Sequence, residues 1–135
     1  MKYRVDCYIP KAFEAIEKVR IKDKGFIDND GYIPNEYKGY IASLGANIIQ
    51  AGIRAALIFY EEAESGSKSD KRLVNAAIKY IISNDGDFSD YESSKVHELS
   101  KVLEGLSPED CQQKAEEIMD AATALKLALR TYKMK

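Results

Sequence analysis

Helical periodicity in the last quarter of the chain constrains the fold more than any other feature. Ser107 is a typical N-cap, Pro108 suits the first helical position, and Asp110 completes a variant of the capping box. Apolar residues then recur every three or four positions, at Cys111, Ala115, Ile118, Ala122, Leu125, Leu129 and Tyr132. This spacing places them on one face of a helix. The sequence predicts a long helix over about residues 108–133, with that face in a core or an interface.

A second long helix is predicted over about residues 36–64, and its apolar content indicates the central helix of the fold. Its helical stripe comprises Tyr40, Leu44, Ile48, Ala51, Ala55 and Ile58, broadened by Ile41, Ile49, Leu57 and Phe59. Gly45 and Gly52 interrupt it, and a glycine inside a helix costs roughly 1 kcal/mol relative to alanine. Either another backbone approaches closely at these small residues, or the helix kinks at one of the glycines.

Shorter helices are predicted at about residues 10–22, 69–83 and 92–104, with polar turn segments between them. The sequence shows no internal repeat, no low-complexity tract and no convincing strand pair. A chain of 135 residues with 45% hydrophobic content suits one core. We therefore expect an all-α fold in which residues 1–135 form a single helical domain, a compact bundle of about five helices.

Cysteine usage and hydropathy indicate the compartment. Cys7 and Cys111 match no disulfide or CxxC spacing, which favours a reducing cytoplasm. The longest apolar stretch, residues 48–60, contains Gln50 and Arg54 and is shorter than the roughly 20 residues that cross a bilayer. The N-terminus lacks a secretion signal. We expect a cytoplasmic protein without membrane contact.

Motifs for catalysis or metal binding are weak. Residues 28–31 resemble part of a calcium-binding EF-hand loop, but with Gly31 as its turn glycine two key ligand positions would be Phe26 and Tyr37. A plain solvated turn is favoured. The single histidine, His97, has no metal-ligand spacing, and the sequence contains no phosphate loop or nucleophile motif. We expect no enzyme activity, no metal site and no cofactor.

Charge is uneven along the chain, although the net charge is only −2. Residues 1–24 carry +3, residues 61–120 carry −8 and residues 121–135 carry +4. If the first and last helices lie side by side, their cations could form one basic surface. Cations near a helix C-terminus also complement the helix dipole, so a ligand surface and dipole complementation stay open as alternatives.

Two segments resemble a known family. Residues 40–60 (YIASLGANIIQAGIRAALIFY) and 118–130 (IMDAATALKLALR) are similar to the signature and the closing helix of the small subunit of type III-B (Cmr) CRISPR RNA-targeting complexes. The resemblance implies an α-helical subunit without nuclease activity, present in several copies along the crRNA-bound backbone subunits. Its partners would be other Cmr-complex proteins, further copies of itself, crRNA and target RNA.

The RNA contacts of this family come from basic surface residues. The resemblance implies Arg54, Lys126 and Arg130 as RNA-binding positions, and charge placement adds Lys18, Lys22 and Lys38. Such side chains would hold phosphates without reading sequence. For Arg54, an ion pair with a carboxylate is the more ordinary role.

Two other functions explain part of the same pattern. A helical protein adaptor without RNA contact accounts for the small residues, the nine tyrosines and the modest net charge. A metal-dependent bundle enzyme would need clustered ligands, which the sequence lacks.

Overall fold

The computed structural model describes residues 2–21, 24–60, 71–82 and 98–134, and every structural statement below concerns these ranges. They contain six helices: α1 (Lys2–Lys18), α2 (Glu36–Ala51), α3 (Ile53–Tyr60), α4 (Arg72–Ile82), α5 (Glu98–Lys101) and α6 (Pro108–Leu129). Extended pairing in these ranges is limited to two isolated bridges, Ile21 with Lys24 and Ile33 with Met134. The predicted all-α class is confirmed.

The helix at the centre of the fold is α4, and it contacts every other helix described. It is buried almost all round: its buried residues are Leu73, Val74, Asn75, Ala76, Ala77, Ile78, Tyr80 and Ile81. A helix whose side chains are buried on nearly all faces must be enclosed by others. The Asn75 side chain donates a hydrogen bond of 2.9 Å to the carbonyl of Leu57 in α3. The prediction of residues 36–64 as the central helix was therefore wrong.

Helices α1 and α6 lie side by side and run in the same direction. Arg4 near the start of α1 forms an ion pair of 3.1 Å with Asp120 in the middle of α6. Near the end of α1, Glu17 accepts a hydrogen bond of 2.8 Å from the hydroxyl of Tyr132, just beyond α6, and Phe13 packs against the same ring in a tilted geometry. The side-by-side arrangement of the first and last helices is thus confirmed, and both end at the same pole of the bundle.

The predicted helix over residues 36–64 is broken at Gly52. Gly52 has φ +95° and ψ 159°, a conformation essentially restricted to glycine, so α2 ends there and α3 begins in a new direction. The kink alternative is confirmed at Gly52. At Gly45 no described residue makes a close approach, because a Cβ added there would meet none of them within 4 Å. Residues 61–64 lie outside the described ranges.

The break also changes which apolar residues are buried. The buried positions of α2 and α3 are Tyr37, Ile41, Leu44, Ala56, Leu57 and Tyr60. Ile49, Ile58 and Phe59 are instead 79%, 55% and 51% exposed. The predicted stripe therefore assigned these three side chains, and the exposed Ala51 and Ala55, to the wrong face. Ile49 and Ala51 precede Gly52, so the break accounts only for the residues of α3.

The other helices match their predictions with shifted ends. α1 begins at Lys2 rather than at residue 10, and it contains Pro10 at an exposed position, where water can satisfy the carbonyl that proline leaves without a donor. At α6 the predicted cap is confirmed, since Ser107 Oγ accepts from the Asp110 amide at 3.1 Å. α6 ends at Leu129 rather than 133. Of the helix predicted over 92–104, residues 98–101 are helical and 92–97 lie outside the description.

The three glycines of the α2–α3 region are expected to respond differently to alanine. Gly39→Ala and Gly45→Ala should each raise the free energy of unfolding by about 0.5–1 kcal/mol, because a Cβ has open space at both sites within α2. Gly52→Ala should lower it by about 1–3 kcal/mol, because its φ is positive. Urea denaturation of the three variants measures this, and stabilisation by Gly52→Ala would contradict the break.

Two tyrosines should make the fold sensitive to alkali. Burial, followed by a hydrogen bond to Glu14, raises the pKa of Tyr80 to about 12, and burial with a bond to Glu17 does the same for Tyr132. The folded protein then keeps both phenolic protons between pH 10 and 12 while the unfolded chain loses them, so the free energy of unfolding should fall as pH rises through this window. Denaturant titrations at pH 8, 10 and 11 should show a smaller fall for Tyr80→Phe/Tyr132→Phe. An equal fall would refute the assignment.

Candidate nucleic-acid interface

Three of the six predicted RNA-binding residues line one cleft at the pole where α6 ends. Lys38 comes from the first turn of α2, and Lys126 and Arg130 come from the end of α6. The cleft is small, about 10 Å³, and its remaining lining residues are Ile41, Leu129 and Met134. We call these three cations with this lining the basic cleft.

A backbone connection positions the two halves of the basic cleft. The amide of Ile33, just before α2, donates a hydrogen bond of 2.9 Å to the carbonyl of Lys133, just after α6. This bond belongs to the isolated bridge between Ile33 and Met134. The start of α2 is thereby held beside the end of α6, so residues far apart in sequence share one surface.

No described carboxylate neutralises the charges of the basic cleft. Among the residues that the structure describes, no Asp or Glu lines the cleft, and none of its three cations forms an ion pair with another of them. Lys126 and Arg130 lie at the negative end of the α6 dipole, so complementation of that dipole can account for their positions. It does not account for Lys38, which lies at the positive end of α2. A cation there adds to a positive potential, as in sites that bind anions.

Of the other three predicted residues, the two that the structure describes do not join the basic cleft. Lys18 is exposed at the end of α1, at the same pole, but does not line the cleft. Lys22 lies outside the described residues. Arg54, exposed on α3, donates a hydrogen bond of 3.2 Å from Nη2 to the carbonyl of Leu103 in the turn after α5. The carboxylate partner expected for Arg54 is thus wrong: the guanidinium ties α3 to the end of α5.

An apolar groove, which the sequence analysis did not identify, continues from the basic cleft along the seam between α2 and α6. It has a volume of about 160 Å³, and Lys126 lines both features. We call it the α2–α6 groove; its walls include Ala42, Gly45 and Ile48 of α2 and Met119, Ala122 and Thr123 of α6. The helices leave it open because most of these side chains are small. The signal for it was the coincidence of small residues on both helices.

The other candidate sites from the sequence are the possible calcium loop, the cysteines and His97. Asp28 Oδ1 accepts hydrogen bonds of 3.0 Å from the amides of Asp30 and Tyr32, which makes residues 28–32 an exposed turn closed by its own carboxylate. Within the described ranges no three His, Cys, Asp or Glu side chains gather as metal ligands. Cys7 and Cys111 are free thiols. His97 lies outside these ranges.

The described part of the chain contains no candidate membrane-spanning helix. None of its helices combines the length and the apolar character that crossing a bilayer requires.

Comparison with known proteins identifies the family. Residues 8–130 match the family model described as CRISPR-associated protein (Cas_Cmr5). No curated protein and no solved structure shows significant similarity to the chain. The family match spans far more than half of the chain and includes α2, α3 and α6, the helices that carry the basic cleft and the two segments with the family resemblance. The chain therefore belongs to the Cmr5 family, the small helical subunits of the type III-B Cmr complex.

Proposed function

We propose that this chain, as a single helical domain, is a non-catalytic structural subunit of a cytoplasmic Cmr complex that contacts RNA phosphates through the basic cleft. The observation that carries the proposal is the convergence of Lys38, Lys126 and Arg130 from two helices, with no carboxylate among the lining residues. Its partners would be other Cmr proteins, further copies of itself, and the crRNA and target RNA.

The proposed contact is electrostatic and independent of base sequence. Arg130 can hold a phosphate through two parallel N–H···O bonds, and the lysines act as point charges beside it. Phosphate contacts fix position, whereas base pairing between guide and target would supply specificity. Lys18, Lys22 and Arg54 stay predictions of further contacts; Lys18 and Arg54 are not among the residues that line the basic cleft.

A protein adaptor without RNA contact is the second candidate. It is favoured by the exposure of three large apolar side chains at the end of α2 and on α3, namely Ile49, Ile58 and Phe59. Exposed apolar side chains that cluster on a surface mark protein interfaces. The two functions differ in whether the isolated chain shows salt-dependent affinity for RNA.

The test is a fluorescence-anisotropy titration of single-stranded RNA with the purified protein at two salt concentrations. Three phosphate contacts predict a fall in affinity of about twentyfold between 50 and 200 mM salt, since each contact on a single strand contributes a slope of about −0.7. Lys38→Glu/Arg130→Glu should abolish most of the binding and its salt dependence.

A matched control separates the basic cleft from net charge. Lys101→Glu/Lys114→Glu changes net charge equally at two residues outside the cleft, and should bind RNA much as the wild type does. Equal losses in both double variants would mean that overall charge, not the basic cleft, attracts RNA. Absence of binding by the wild type at both salt concentrations would favour the adaptor.

A further inference from the structure

We infer that the α2–α6 groove binds a helix of a second protein, an apolar helix that carries carboxylates at the end meeting Lys126. The inference rests on the proposed function in one respect: the second protein is taken to be another subunit of the same complex. It assigns the surface through which this chain packs on a protein neighbour, beside the surface proposed for RNA.

The shape of the groove suits a helix. Its walls are two neighbouring helices, and the small residues Ala42, Gly45 and Ala122 leave room between them for another side chain. The lining residues span about two turns of each helix. A ridge of side chains spaced three and four residues apart on a partner helix packs into a groove of this kind.

Gly45 supplies a separate argument for an approach from outside. A glycine in the middle of a helix is less favourable than alanine. Nothing in the described chain lies within 4 Å of where its Cβ would be, so no contact among the described residues accounts for the glycine. Close approach of a partner backbone does account for it.

The rim of the groove exposes apolar area that a partner would bury. Ile49 follows Gly45 by one turn and Ala42 by two, so it lies on the same side of α2, and it is 79% exposed. Met119, which lines the opposite wall, is 36% exposed. Burial of these side chains by a partner is favourable because it removes apolar surface from water.

Charge identifies the occupant as a protein helix with an acidic end. Lys126 lies where the groove meets the basic cleft, and no Asp or Glu of the described ranges lines either feature. A partner carboxylate or the negative end of a helix dipole would complement this pole. RNA carries a phosphate at every nucleotide, so the apolar floor of the groove would face uncompensated charge.

The first experiment fills the groove without weakening the fold. The chain is co-expressed with the other protein subunits of its own complex, and its incorporation after nuclease treatment is measured for Gly45→Leu and Gly39→Leu. Both sites lie within α2 with open space for a side chain, but Gly39, the fourth residue of the helix, lies on another side of it. Gly45→Leu should lower the apparent affinity of this chain for the assembly by about tenfold or more, because the leucine side chain would fill the space that the partner helix needs. Gly39→Leu should leave it unchanged.

Thermal melts of both variants establish that they fold. If the folded Gly45→Leu variant enters the assembly as well as the wild-type chain does, the inference is overturned. RNA titration of the same variants tests the two proposals separately. Exclusion of Gly45→Leu from the assembly supports the groove as a protein-binding surface. It does so even if the Lys38→Glu/Arg130→Glu variant shows that the basic cleft has no role in RNA binding.

A second experiment identifies what occupies the groove. A photoreactive benzoylphenylalanine replaces Ala42, and the cross-linked species in the purified complex is sequenced by mass spectrometry. The expected product is a peptide of another subunit, with apolar residues at helical spacing and acidic residues at one end. Cross-links confined to RNA or to a second copy of this chain would overturn the assignment.

Discussion

The fold depends on one requirement, that the apolar helix α4 be covered on every side. Hydrophobic burial is the main favourable term in folding, and a helix buried almost all round needs several partners to achieve it. α1, α3, α5 and α6 surround it, with a smaller contribution from α2. α2 is therefore left to pack mainly on α3 and along α6, and this looser seam is where both the basic cleft and the α2–α6 groove lie.

Sequence reasoning predicted those parts of the fold that local rules decide. The start of α6 follows from Ser107 and Pro108, and the all-α class follows from periodicity. The break at Gly52 could be proposed but not chosen over Gly45, because both are glycines in an apolar helix and only the backbone φ distinguishes them. Which helix is central could not be predicted, since periodicity does not show how many neighbours a face will meet.

The candidate site was predictable in part for a similar reason. Lys126 and Arg130 are one turn apart on α6, so their proximity follows from the sequence. Their meeting with Lys38 depends on the bond between Ile33 and Lys133, a tertiary contact between segments distant along the chain. Arg54 is directed to a backbone carbonyl by α3, whose direction is set at Gly52. Linear charge thus identifies candidate cations but not which of them share a surface.

The parallel arrangement of α1 and α6 brings cations from the ends of both helices to one pole of the bundle. Lys18 lies in the last turn of α1, and Lys126 and Arg130 lie at the end of α6. Cations gathered in one place raise the local potential, so a polyanion is attracted to this pole before contact. The attraction weakens as dissolved ions shorten the range of the field.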